Sequence, residues 1–542
     1  MPHPHRKSLH PLVTVLLLLI AATAWSQPAA DGSPGASTDA PTGDAASAAK
    51  FDVWEFRVLG TQVLPRQTVE RTLYGHLGAQ KTITDVEAAR LSLETAYRTA
   101  GYSTVFVDIP EQSVDSGVVR LKVTEGRLDR LRVTGARYFS NRKILASVPG
   151  LESGQVPHFP AVQQQLAALN RVTPDRSVTP VLRAGRYPGT VDVDLKVADE
   201  LPFHGNVEVN DRYTADTSTL RSSVNLSYAN LWQREHTASL QYQWAPRNRD
   251  EARVIAGTYV ARLDRVQTLL AVYAVDSDSD VAAVGTLSVL GKGKIVGVRG
   301  IRTLDSMGRY FQNLTLGIDF KNFDENIRLT PQDGLATAIR YVNWSASYGF
   351  GWTLPRWSTD FSIGAAWGMR GFGNDDAEFE QKRFKARANY GYLTGSAQAT
   401  RRLFEDARLV ARLSWQYSNS PLISNEQFTA GGASTVRGYL EAERLGDLGG
   451  ALTLEFQSPS LVKGSHVEEL RLLTFVDTAS LWTRDPLPSQ ESRFRLASAG
   501  AGLRFKGFGG MSAEVDWARV LRDGANVHDG DDRVHFRLNY GF

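Results

Sequence analysis

Among the residues whose type and spacing could do chemistry, one run stands out: Gly431-Gly432-Ala433-Ser434-Thr435-Val436-Arg437-Gly438-Tyr439. A guanidinium offers a carboxylate two parallel, charge-assisted hydrogen bonds, which supply direction as well as attraction. Gly438 lets the backbone turn tightly beside it, and Val436 and Tyr439 can pack on a wall. Taken alone, Arg437 is an ordinary loop arginine; the combination suits a loop that has to be held in place. Glu441, Glu443 and Arg444, a few residues on, read as a solvated surface. Other chemistry lacks carriers. The chain contains no cysteine, which excludes disulfides, thiolate metal sites and cysteine nucleophiles. Its histidines are scattered without zinc-ligand spacing, and no Gly-x-Ser-x-Gly elbow occurs. Gly291-Lys292-Gly293-Lys294 lacks the spacing and the following hydroxyl residue of a phosphate loop and reads as a hairpin turn. No catalytic residue, metal site or cofactor is expected, and the chain is not expected to be an enzyme.

The elements that must position this run are strands. From Gly205 onward, segments of about ten residues alternate polar with apolar side chains, the pattern of a transmembrane barrel with a wet lumen. Val534, Phe536, Leu538, Tyr540 and Phe542 fall on one face of the last segment, and Arg533, His535, Arg537 and Asn539 on the other. Leu452, Leu454 and Phe456 oppose Thr453, Glu455 and Gln457, and Ala513, Val515 and Trp517 oppose Ser512, Glu514 and Asp516. A soluble sandwich also alternates, but it has a single core in which to bury so many apolar faces. Tyr213, Trp232, Trp352, Trp357 and Trp482 stand at or near segment ends, where interfacial girdles need amphipathic rings. Connections alternate between long (276–291, 325–335, 373–382, 418–449) and short (304–309, 354–358, 404–406, 461–466), as in a barrel with long outer loops and tight inner turns.

A net charge of +3 argues against a dedicated nucleic-acid binder. A mean hydropathy of −0.26 is compatible with a barrel, half of whose strand positions face water. Residues 12–24 form the one long apolar run; it is too short to span a bilayer and follows Arg6, Lys7 and His10, so residues 1–26 read as a signal peptide. Residues 27–50, nearly all Ala, Gly, Pro, Ser, Thr and Asp, read as a flexible linker. Between 51 and 200 the chain repeats itself. Phe56-Arg57-Val58-Leu59-Gly60 answers Leu131-Arg132-Val133-Thr134-Gly135, and the same offset separates Val69 from Ile144. Each copy predicts strand, turn, two helices and two strands, with helical stretches at 85–100, opening on a Thr84-Asp85-Val86-Glu87 cap, and at 161–169.

Tandem β-α-α-β-β modules of this size resemble polypeptide-transport-associated (POTRA) domains. Two of them, followed by a barrel whose sixth outer loop carries Val436-Arg437-Gly438-Tyr439, resemble the transporters of two-partner secretion, in the superfamily that also holds the barrel-assembly insertases. The resemblance covers residues 51–542. It implies α+β modules at 51–126 and 127–200, then an all-β barrel of about 16 antiparallel strands at 203–542, with an inward loop at 419–449. In that family the loop arginine pairs with an aspartate in a Phe/Gly-x-Asp/Gly pattern on the inner wall of the thirteenth strand. Phe475-Val476-Asp477 supplies it here, and by parity Asp477 lies with Arg471 and opposite Leu472 and Val476. Leu538, Tyr540 and Phe542 resemble the C-terminal signal by which barrel-assembly machinery recognises its clients. Many family members carry a pore-plugging helix before the first module; residues 27–50 show no apolar periodicity, so the plug is expected to be missing. The implied function is an outer-membrane translocation pore in a Gram-negative bacterium, with its modules in the periplasm. Its partners would be a secreted haemolysin- or filamentous-haemagglutinin-like exoprotein, the outer-membrane lipid and the assembly machinery, with no nucleic acid. The alternative is an insertase of outer-membrane proteins.

Overall fold

The computed structural model describes residues 49–215, 217–249, 251–279, 281–284, 287–304, 308–323, 338–462, 464 and 466–542. The expected signal peptide, nearly all of the linker with its missing plug, and the 325–335 connection lie outside them.

In the first module the strand Val118–Glu125 is central, parallel to Glu55–Leu59 and antiparallel to Val105–Asp108. The helix Ile83–Thr99 repeats Val86, Ala89, Leu93 and Tyr97 at helical spacing, and all four are buried against Val119, Leu121 and Val123 of that strand. Its cap lies two residues earlier than the Thr84 expected. The Thr82 backbone N–H donates to Asp85 Oδ2 at 2.8 Å, closing a capping box that leaves Thr84 inside the helix. Glu125 accepts from the backbone N–H groups of Gln62 (2.6 Å) and Val63 (2.9 Å). Burial pushes the Tyr97 hydroxyl up to about 12, so it stays a donor beside this carboxylate. The second module repeats the plan. Thr190–Asp199 runs parallel to Arg127–Thr134 and antiparallel to Arg176–Ala184, with helices Asn141–Ala146 and Phe159–Arg171. The internal repeat has a backbone cause. Gly60 (φ +90°) and Gly135 (φ +89°) each turn the chain where a Cβ would stand 2.3 Å and 2.4 Å from the carbonyl oxygens of Val123 and Val197. The first module adds a short pair, Phe51–Val53 with Gly78–Lys81, beyond the expected plan.

From Phe203 the chain forms a closed antiparallel barrel of 16 strands, in which the last, Asp532–Gly541, pairs with the first, Phe203–Asn210. Val534, Phe536, Leu538 and Tyr540 are exposed on the outer face while His535 is buried within. Trp232, Trp352, Trp357 and Trp482 lie at strand ends or turns, but Tyr213 is not in a girdle. Its carbonyl accepts from Glu441 N–H at 3.1 Å and Arg533 covers its ring at 4.6 Å, both inside the barrel. The modules enter at the start of the first strand, which marks that end as the inner side. There the second module grips the turn after the second strand, Arg221–Leu231. Gln233 accepts from Ser140 N–H (2.8 Å) and donates to the Tyr138 carbonyl (2.9 Å), while Arg176 reaches Glu235 at 3.2 Å.

Two outer connections are more ordered than a loop reading implies. The 373–382 stretch contains the helix Asp376–Lys382, which Asp375 caps by accepting from Glu378 N–H. Between the fifth and sixth strands, Val281–Val284 and Leu287–Leu290 form a hairpin. The sixth outer loop leaves the eleventh strand at Ser418 and rejoins the twelfth at Leu448. Leu448 and Gly449, expected in the loop, are therefore already paired with Trp482 and Leu481.

Candidate functional site

The sixth loop folds back into the lumen, carrying a short hairpin, Phe428–Ala430 with Arg444–Gly446, and Arg437 beyond it. Arg437 is 4 % exposed and meets the thirteenth strand, Val467–Trp482. Its Nε donates to Asp477 Oδ2 at 2.7 Å and its Nη2 to Asp477 Oδ1 at 2.9 Å, a bidentate pair, and its backbone N–H reaches Oδ2 at 3.1 Å. The guanidinium carbon lies 3.3 Å from the centre of the Phe475 ring. Strand parity explains the wall. Arg471, Leu473, Phe475 and Asp477 are buried on the lumen side, and Leu472 and Val476 are exposed outside.

Two more carboxylates surround the arginine. Nη1 lies 2.9 Å from Glu455 on the twelfth strand and 3.4 Å from Asp516 on the fifteenth. Arg504 returns the balance, holding Asp516 through two contacts at 2.6 and 2.8 Å. The sequence placed Glu455 and Asp516 on polar faces but offered no sign that they converge, because the strands bearing them are not adjacent in the chain. A cavity of about 290 Å³ beside this cluster is bordered by Arg412, Ser434, Arg437, Arg504 and Glu514.

Neighbouring positions of the motif make separate contacts. Gly438 (φ +94°) presents its N–H to His535 Nε2 at 2.9 Å, and a Cβ there would meet Val520 at 3.2 Å and Ala518 at 3.3 Å. Because His535 Nε2 accepts, Nδ1 carries the proton and donates to Asp211 Oδ2 at 2.9 Å. Asp211 Oδ1 also accepts from Phe536 N–H at 2.9 Å, where the ladder between first and last strands ends. Tyr439 donates to the Arg522 carbonyl at 2.6 Å, and Val436 and Tyr439 are fully buried with Leu481, Leu496 and Val520. Glu443 is not on a solvated surface: it is 1 % exposed and accepts from Ala525 N–H at 2.6 Å. Arg444 covers the Phe494 ring at 4.5 Å. Loop residues have no side-chain period from which such burial could be read. Leu538, Tyr540 and Phe542 stand exposed along the outer face, far in kind from this cluster. The Phe542 backbone exchanges hydrogen bonds with Gly205 at 2.9 and 3.0 Å and completes the closure.

A closed 16-strand barrel, small α+β modules at its inner end and a loop anchored in its lumen together define a POTRA–barrel protein of the outer membrane, with its modules in the periplasm. The ShlB-type POTRA domain matches residues 51–126. The haemolysin secretion/activation protein family ShlB/FhaC/HecB matches residues 189–505, more than half of the chain, and the chain belongs to that family.

The outer membrane transporter CdiB of Dickeya dadantii (strain 3937) is 24 % identical over 182 residues, 34 % of this chain and 32 % of its own length. CdiB of Escherichia coli O6:K15:H31 (strain 536 / UPEC) is 27 % identical over 180 residues, 33 % of this chain and 30 % of its own. The matched stretch thus spans about a third of the length of these curated relatives. Among solved structures, CdiB from Escherichia coli superposes with a TM-score of 0.59 at 21 % identity, covering 93 % of both chains. BamA from Haemophilus ducreyi lacking POTRA domains 1-3 superposes at 0.57 and 15 % identity, covering 91 % of this chain and all of that one. At these identities both superpositions speak to the fold.

Proposed function

We propose that this chain is the outer-membrane pore of a two-partner secretion system, which captures an unfolded exoprotein in the periplasm and exports it to the cell surface or medium. The observation that carries this reading is the sixth loop itself. A bidentate arginine-carboxylate contact holds it within a barrel whose family exports haemolysins. In this reading 51–126 and 127–200 are the capture modules, 203–542 is the pore, and Val436, Arg437, Gly438 and Tyr439 with Phe475 and Asp477 tether and gate the loop.

Capture has a natural surface. The edge strand Glu55–Leu59 has one neighbour in its sheet and borders, with the helix Arg66–Tyr74, a groove of about 790 Å³ lined by Phe56, Val58, Leu64, Val69 and Leu73. An extended client can add to such an edge by backbone pairing while the groove takes alternate side chains. The client is a haemolysin- or filamentous-haemagglutinin-like protein, and its folding outside opposes its return. Leu538, Tyr540 and Phe542 serve as the signal read by the barrel-assembly machinery before they face lipid. The work is transport, with no catalytic step.

The second reading is an insertase of outer-membrane proteins, favoured by the likeness to the BamA fold. The secretome and outer-membrane profile of cells with and without this protein separate the two. Loss of one large exoprotein with an unchanged profile is expected; general depletion of barrels would sink the secretion reading in favour of the insertase.

A further inference from the structure

The sixth loop is held at its root as well as at its tip, by residues outside the motif. Asp447, the last residue before the loop rejoins the barrel, is fully buried (0 % exposed) and is the hub. Arg383, just after the helix Asp376–Lys382 of the fifth outer loop, faces it with both terminal nitrogens, the Nη2 contact being 2.7 Å. Asp447 also accepts from Leu422 N–H at 2.8 Å, Gln427 Nε2 at 3.1 Å and Arg484 N–H at 2.6 Å. Arg383 in turn donates to the carbonyls of Leu422 and Arg484. One ion pair thereby ties together the fifth, sixth and seventh outer loops.

Below this pair lies an apolar wedge. Leu422 and Ile423 of the sixth loop and Phe379 of the helix pack on Ile295, Phe323, Tyr341 and Tyr390 of the lumen wall, all of them buried. Glu426, one turn along the loop, is buried among Lys321, Tyr341 and Tyr392, the last donating at 2.7 Å. Apolar side chains set into a pore obstruct ions and water. This wedge is carried by the fifth and sixth loops, which Asp447 and Arg383 hold to one another. Asp447 is fully buried and Arg383 half-buried beside it, so losing the arginine strands a buried carboxylate and favours release of the whole assembly.

We propose that Arg383 and Asp447 form a root clasp that closes the outer mouth of the pore, separate from the Arg437 tether deeper in the lumen. Opening the mouth requires this pair to part so that the helix and the Leu422–Ile423 wedge swing out together.

The proposal rests on the pore reading above, and its test needs no client. The full-length protein is reconstituted in planar bilayers, and each variant is first checked for heat-modifiable migration as a folded barrel. Asp447→Asn, which keeps the shape and removes the charge, and Arg383→Ala should each raise the mean resting conductance about twofold or more. Arg383→Cys with Asp447→Cys should conduct above the resting level, fall back to it when joined by a short bis-thiosulfonate linker, and rise again when a reductant cleaves the linker. The chain has no cysteine of its own to interfere. Deletion of residues 419–447 is the open control. If the deletion conducts while Asp447→Asn and Arg383→Ala stay at the resting level, the clasp is overturned and the pore stands. If the deletion also insulates, both fail.

Discussion

The periplasmic modules and the barrel lumen are held together by opposite means. In the first module the central strand contributes Val119, Leu121 and Val123 to a core of aliphatic side chains and Tyr97, and the second does the same with Val193, Leu195 and Val197. In the lumen the fully buried groups include Arg471, Asp477, Glu455 and Asp447, and the loop is gripped by ion pairs. Apolar packing is non-directional, and in the modules it is the core that holds each unit together. A directional ion pair can be broken by one displacement and remade in the same register. The modules are thus suited to persist, and the lumen contacts to the change of state that the proposed pore function requires.

That contrast is breakable, beginning with its largest expected effect. Arg437→Ala leaves Asp477 buried without its cation, a loss of about 3–5 kcal/mol of loop anchoring. Secretion should fall to background while the barrel stays heat-modifiable, and Asp477→Ala should match it; normal export by both would end the tether role. Leu121→Ala should remove about 2–5 kcal/mol from the first module alone. Hydrogen exchange on the full chain should then rise across 51–126 and stay unchanged in the barrel strands; a rise in both would mean that the two regions are not separate units. Gly135→Ala puts a methyl against the Val197 carbonyl at a positive φ and should cost at least about 1 kcal/mol, read as faster exchange at 127–200. Arg66→Ala removes an exposed i,i+4 pair with Glu70 and should change stability by less than about 0.5 kcal/mol. A large effect there would show that the module surface, beside the capture groove, matters to its fold.

Much of the barrel was legible because a strand has a period of two. Parity alone assigned Glu455, Asp516 and His535 to the polar face, and the structure finds all three at the loop tip. That Arg437 is shared among Asp477, Glu455 and Asp516 was not legible, since convergence depends on barrel closure and on how far the loop descends. Where no period exists the sequence carries no sign of burial. Glu443 reads as solvent-facing and is buried, Tyr213 reads as a girdle residue and packs against the loop, and nothing in the chain marks Asp447 and Arg383 as the residues that join three loops. The helix cap slipped from Thr84 to Thr82 because both offer a hydroxyl with an acid three residues on, and only packing of Val86 and Leu93 on the sheet chooses between them.

By itself the sequence determined the modular plan, the repeat set by Gly60 and Gly135, the alternating faces of the strands and the presence of one arginine-bearing loop motif. These are local properties, carried by backbone preference and side-chain period. The tertiary structure alone decided which lumen carboxylates meet that arginine, which loops are bound to one another and which charges are buried. Those outcomes depend on distances across a closed barrel, where residues a hundred positions apart share one low-dielectric space.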